Sequence, residues 1–198
     1  MAGKKASSTV STVVTMVVVV AVIIVGFVAL QRKMETGTTA KVSDDVEKLM
    51  NMDFDNDYPA SPKEVMKYYT RFLKAYYNED LSDEEIEKLA AQNLKIYDEE
   101  VLKLNPYDTY VENLKKEILT YKKEKQTLGN YEIQDSTDAK YEEKGGYRLC
   151  TISVYYYIRA QNTKNNQRTF EDFHLREDGD GHWKILSWET TTKDFRDQ

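Results

Sequence analysis

Cysteine is almost missing from this 198-residue chain, with Cys150 standing alone. An intrachain disulfide is excluded in any compartment, and so is a lipoprotein-type anchor, which needs a cysteine just after an apolar run. The sequence also lacks H-E-x-x-H, paired C-x-x-C, a Walker lysine loop, G-x-G-x-x-G and G-x-S-x-G. The best-marked zinc, phosphate-loop, dinucleotide and serine-hydrolase chemistries therefore have no motif to rest on. Acid is missing from one end: residues 1–33 carry Lys4, Lys5, Arg32 and Lys33 but no Asp or Glu. The whole chain has 28 basic and 34 acidic side chains, net −6, so residues 34–198 keep 24 against 34, a balance of −10. That balance argues against nucleic acid as a partner. Tyrosine is what abounds, 15 residues against 6 phenylalanines. So many rings call for a packed core, and the excess of Tyr points to rings that end at polar or wet sites.

No charge occurs between Lys5 and Arg32. As a helix, the apolar run Thr12–Leu30 spans roughly 28 Å at about 1.5 Å per residue, which matches the hydrocarbon core of a bilayer. Val and Ile dominate it. In water that composition favours a strand, but an unpaired strand in lipid leaves its backbone unsatisfied, so a helix is expected. A cleaved signal peptide would have an apolar region of about 7–15 residues and a small-x-small site. This run is longer and ends Phe27-Val28-Ala29-Leu30-Gln31-Arg32. The expectation is a single-pass anchor in a bacterial plasma membrane: a tail at 1–11, a transmembrane helix at 12–30 contacting the lipid bilayer, and a juxtamembrane linker with a short helix at 31–60. Flanking charge is nearly balanced, so an N-in orientation with an extracytoplasmic C-terminal domain rests on architecture alone.

Residues 61–198 read as an α+β domain. Within the linker, Ser43 is a cap for a short helix through Met50. Ser61-Pro62-Lys63-Glu64 and Ser82 with Glu85 are capping boxes, and Asn105-Pro106-Tyr107-Asp108 is read as a third start. The second helix carries Ile86, Leu89, Ala90, Asn93 and Tyr97 on its inner face, with Val101 and Leu104 following. The third carries Tyr110, Val111, Leu114, Ile118 and Tyr121, and Gly129-Asn130 is expected to break it. After that the period becomes two: short strands at 131–134 and 139–142, a long strand Tyr147–Ala160, a polar turn at 162–167, a strand at 168–177, an Asp178-Gly179-Asp180-Gly181 hairpin and a strand at 183–189. Three helices packed on a curved antiparallel sheet of four to five strands is the expected fold.

Three capped helices followed by such a sheet, ending in Gly181, Trp183, Lys184 and Ile185, resemble the cone-shaped nuclear-transport-factor-2-like fold, also called SnoaL-like or cystatin-like. Tyr58-Pro59-Ala60-Ser61-Pro62-Lys63-Glu64-Val65, Tyr77-Asn78-Glu79 and Leu175-Arg176-Glu177-Asp178 are similar to an uncharacterised family of N-terminally anchored bacterial proteins. The resemblance covers roughly residues 50–190. It implies a cone domain but no activity, because that fold hosts enzymes, carriers and interaction domains alike.

Several clusters could carry chemistry. Tyr155, Tyr157 and Arg159, with Trp183 or Trp188, form an aromatic face with a cation that suits a flat ligand or a sugar, or packs across strands. His174 lies between Asp172 and Arg176 at strand spacing and could do acid–base work, though Phe173 and Leu175 are the apolar parity and leave the triplet outside. Asp53, Asp55, Asp57 and Glu64 have calcium-loop spacing, but Tyr58 stands where the loop needs Gly and Glu64 serves a cap. Lys115, Lys116, Lys122, Lys123 and Lys125 read as a solvated helix end, and Cys150 as a small buried hydrophobe. Neither a metal nor a cofactor is implied. The expected function is a non-enzymatic binding or interaction module of the cell envelope, with a protein or a small molecule as ligand. The alternatives are a SnoaL-like enzyme using polar cavity residues and a cytoplasm-facing tethered regulator or scaffold. A buried, ordered Asp–His or Tyr–Asp pair in a roomy cavity speaks for the enzyme, and a filled cavity with an exposed aromatic patch for the interaction module.

Overall fold

Three serines start three helices by the same device. Ser43 accepts from the backbone N–H of Val46, Ser61 from Glu64 and Ser82 from Glu85, and Glu85 returns the bond to the Ser82 N–H at 2.8 Å. They open α1 (Asp44–Met50), α2 (Pro62–Asn78) and α3 (Asp83–Leu94). The computed structural model describes residues 42–161 and 166–197. The membrane helix expected at 12–30 lies outside the described residues, as does most of the turn expected at 162–167. Among the described residues no helix is long and apolar enough to cross a membrane.

The second expected helix does not run on past Tyr97. Ile96 accepts from the Ile185 N–H and Ile185 from the Asp98 N–H, both at 2.9 Å, so the chain leaves α3 to add a short parallel bridge to a strand edge. Asp98 then caps a separate helix, α4 (Glu99–Leu104), by accepting from the Glu100 N–H. Leu104, expected on the inner face, is 71% exposed. Asn105 does not cap the next helix either. Its amide donates to the Val101 carbonyl at the end of α4, and α5 (Tyr107–Glu124) begins behind Pro106 with no side-chain cap.

Helix α5 stops at Lys125, whose φ of 51° is left-handed, and not at Gly129-Asn130. Those two residues sit inside β1 (Gln126–Ile133), where they form a bulge opposite Tyr157. A Cβ at 129 would lie 3.0 Å from the Tyr157 carbonyl oxygen, so the close approach of the strands there favours glycine. The remaining strands are β2 (Lys140–Lys144), β3 (Tyr147–Ala160), β4 (Gln167–Glu177) and β5 (Trp183–Thr191), followed by a 3₁₀ turn at Phe195–Asp197. All pairings between these strands are antiparallel. β3 takes β1 and β2 along one edge and β4 along the other, and β5 follows β4. Among the described residues, five helices on a five-stranded antiparallel sheet make the α+β fold.

A second bulge lies in β5. Leu175 pairs with Ile185 and His174 with Ser187, so Leu186 is the extra residue. It shifts the parity of the strand, and both Ile185 and Trp188 turn to the helix side. That side holds the core, with Val65, Phe72, Leu89, Ile96, Ile152, Val154, Phe173, Leu175 and Ile185 at 0% exposure. The boundary expected at residue 61 falls within this packed body. Val46, Leu49 and Phe54 are buried, and the Tyr58 hydroxyl donates to the Trp183 carbonyl while its ring stacks on His182 at 4.2 Å. The acidic stretch before α2 is thus a strap over the β4–β5 hairpin. Its apolar residues at 46, 49 and 54 supply the burial that a free tether would lack.

A tyrosine-lined cavity as the candidate functional site

Helical spacing brings the walls together. On α2, Tyr69, Leu73, Tyr76 and Tyr77 share one stripe, and on α5 Tyr110, Leu114, Glu117 and Tyr121 share another, at i, i+4, i+7 and i+11. Asn93 of α3, the bridging Tyr97 and Val101 of α4 close one end. The sheet contributes Leu128, Tyr156, Ile158, Thr169, Glu171 and Trp188. These residues enclose a cavity of about 270 Å³. Exposed Leu102, Asn113, Glu124 and Gln167 mark the side where it meets solvent.

The rings form two groups. Tyr77 and Tyr121 stack at 3.9 Å with an 11° interplanar angle. Tyr69 meets Phe173 edge-on at 5.0 Å, and Trp188 stacks on Phe173 at 6.0 Å and tilts toward Tyr97 at 6.1 Å. Polar atoms are less well provided for. The Tyr77 hydroxyl donates to Glu117 at 2.5 Å, and the Asn93 amide donates to the Tyr110 hydroxyl at 3.0 Å. The Tyr156 hydroxyl and the Asn93 carbonyl oxygen are buried without a partner, and the Tyr76 hydroxyl lies beside Tyr110 and Asn93 at a geometry that closes no bond. Most buried polar groups are paired, so three orphans around one cavity mark it out.

Three carboxylates, Glu117, Glu124 and Glu171, line the cavity, and no Lys, Arg or His does among the described residues. Glu171 is half-buried, and the area it keeps faces the cavity. Burial first, and then the nearby Glu117 charge, push its carboxyl up to about 7. Burial also raises Glu117 above the ordinary carboxylate range, against the pull of its bond from Tyr77. Desolvation holds the hydroxyls of Tyr69, Tyr76, Tyr77, Tyr97 and Tyr156 well above their usual value, so they stay protonated donors. Such a wall can orient a small molecule by its polar atoms, and Glu171 can exchange a proton near neutrality.

Of the residues singled out from sequence, Trp188 is on this wall. Tyr155, Tyr157, Arg159 and His174 are on the opposite face of the sheet. There Tyr155 is covered by the Arg196 guanidinium at 4.2 Å and lies against Phe170, Arg159 sits with Tyr157 over Gly129, and His174 bonds Thr151 at 3.0 Å. Asp172 accepts from Ser153 at 2.5 Å, whereas Arg176 leaves the triplet and reaches Asp98 and Glu100. Trp183 meets Tyr141 edge-on, and burial pushes the Cys150 thiol up to about 11. Sequence reasoning missed Glu117 and Glu171, although both had a signal. Glu171 shares strand parity with Phe173 and Leu175, and Glu117 lies one turn from Leu114 on an apolar stripe.

Three of the four carboxylates of calcium-loop spacing are engaged by protein groups. Asp53 accepts from Asn56, Asp55 lies 3.6 Å from Lys95, and Glu64 takes Lys67. Asp178, Asp180 and His182 place ligand atoms within 4.8 Å of one another, but Asp178 already closes the hairpin turn by accepting from the Asp180 and His182 N–H groups. Lys115, Lys116 and Lys122 are paired with acids. No curated protein matches the chain. The sequence profile of a domain of unknown function, DUF6715, matches residues 1–188, and the chain belongs to that family.

Proposed function

We propose that this protein is a membrane-anchored binding module of the bacterial cell envelope, whose cone-like α+β domain holds a small molecule between its helices and its sheet. The observation that carries the reading is the cavity with buried, unpartnered polar atoms on its wall, Tyr156 and Asn93 foremost. An orphaned buried group costs about 1–3 kcal/mol, and a ligand that bonds it recovers that cost. The anchor is the apolar run 12–30, and the N-in orientation places the domain outside the cytoplasm.

Full-length protein in detergent micelles, screened by thermal shift against small neutral, anionic and cationic molecules, tests the binding reading. At least one class should raise Tm, and Thr169→Trp, which fills the cavity, should abolish that rise. No shift with any class contradicts it. Protease added to intact cells should digest residues 61–198, and complete protection contradicts the external orientation.

A second reading, an enzyme of the SnoaL-like kind, is favoured by one feature. Glu171 titrates near neutrality in the cavity, as a general base does, with the Tyr77–Glu117 pair on the same wall.

A further inference from the structure

We infer that the ligand of this cavity is a protonated organic amine with an apolar body, a conclusion that rests on the binding reading above. Charge points first. With Glu117, Glu124 and Glu171 on the wall and no cationic side chain beside them among the described residues, an anion finds no counter-charge and a cation does. A neutral ligand leaves the two desolvated acids, Glu117 and Glu171, without a counter-charge.

The rings point the same way. On the surface of this protein, cations already sit on aromatic faces, Arg196 over Tyr155 at 4.2 Å and Lys184 over Tyr58 at 4.0 Å. Tyr77, Tyr121, Tyr97 and Trp188 line the cavity as well, beside carboxylates and without a cation of the protein's own among the described residues. Ammonium groups are attracted to such faces, more strongly once desolvated.

The unpartnered atoms then specify the head group. Asn93 is 1% exposed and its free oxygen only accepts, while Tyr156, 4% exposed, has a hydroxyl that can accept as well as donate. N–H protons satisfy both. Leu73, Leu114 and Ile158 supply the apolar contacts for the ligand's body.

Among the described residues, the titratable groups facing Glu171 are Glu117 and Tyr121 of α5, Tyr69 of α2 and Tyr156 of β3, none of them cationic. An ammonium placed beside Glu171 lowers its proton affinity, so binding at neutral pH releases a proton.

Calorimetry on the full chain in uncharged micelles, with three probes of one shape, tests this: 2-phenylethylammonium, 2-phenylethanol and 3-phenylpropionate. The ammonium should bind at least about tenfold tighter than the alcohol, with the carboxylate weakest. In Glu171→Gln and in Glu117→Gln, each checked for folding by circular dichroism, the ammonium's advantage over the alcohol should collapse. Equal or tighter binding of the alcohol or the carboxylate overturns the amine assignment while leaving the cavity a binding site. Failure of every class in the thermal-shift screen overturns the binding reading itself.

Discussion

Neighbouring residues on β4 show how differently the two faces of one sheet are finished. Asp172 points outward and is answered by Ser153 at 2.5 Å. Glu171 points inward, has no hydrogen bond among the described residues, and is held near neutrality by burial and by Glu117. The outer face continues in that settled manner, with His174 bonded to Thr151 and Arg196 laid over Tyr155. The inner face is apolar and closed around Phe173, then opens into a cavity with orphaned hydroxyls. A desolvated acid without a partner among the described residues is held at a cost to stability, which the ammonium ligand inferred above would offset.

The sharpest way to break the comparison is at the closed part of the inner face. Phe173, 0% exposed, holds Tyr69 on one side and Trp188 on the other. Phe173→Ala should cost about 3–5 kcal/mol in chemical unfolding. A loss no larger than that of an outer-face residue would mean the wall is not packed as described.

The next effect has the opposite sign. Glu171 has its carboxyl raised from 4.5 to about 7 in the folded protein, so the folded state binds its proton more tightly than the unfolded state does. Its favourable contribution is complete below the unfolded value and is lost as pH rises through about 7. Glu171→Gln should therefore be more stable than the parent at pH 8, by about 1–3 kcal/mol, and gain nothing near pH 4. Asp172→Ala, one position away, should instead lose about 1 kcal/mol with its Ser153 bond. Stabilisation by both, or by neither, would erase the difference between the faces.

A smaller optical effect separates the two tryptophans. Trp188 borders the cavity and Trp183 does not. Binding of 2-phenylethylammonium should change the fluorescence of the parent and leave that of Trp188→Phe unchanged.

Much of this was legible in the sequence. Serine caps at 43, 61 and 82, the alternation along 147–160 and the Asp-Gly-Asp-Gly hairpin each act through residues next to one another. What was hidden depended on contacts between distant segments. Helix α3 ends where it does because Ile96 and Asp98 hydrogen-bond to Ile185, which no local pattern announces. Asn105 has the sequence of a cap for α5, yet its amide is spent on the end of α4. Trp188 reached the cavity by a bulge at Leu186 that reverses strand parity, so simple alternation could not place it. Glu171 and Glu117 were visible as acids on apolar parities, but only the bringing together of α5 and β4 shows that they face one space.

The most direct test is the titration of Glu171 itself, followed by carboxyl-carbon NMR of the isotope-labelled full chain, with Glu171→Gln to assign the signal. The expected midpoint is about 7, falling when 2-phenylethylammonium is added. A midpoint in the ordinary glutamate range, unmoved by the amine, would contradict the account.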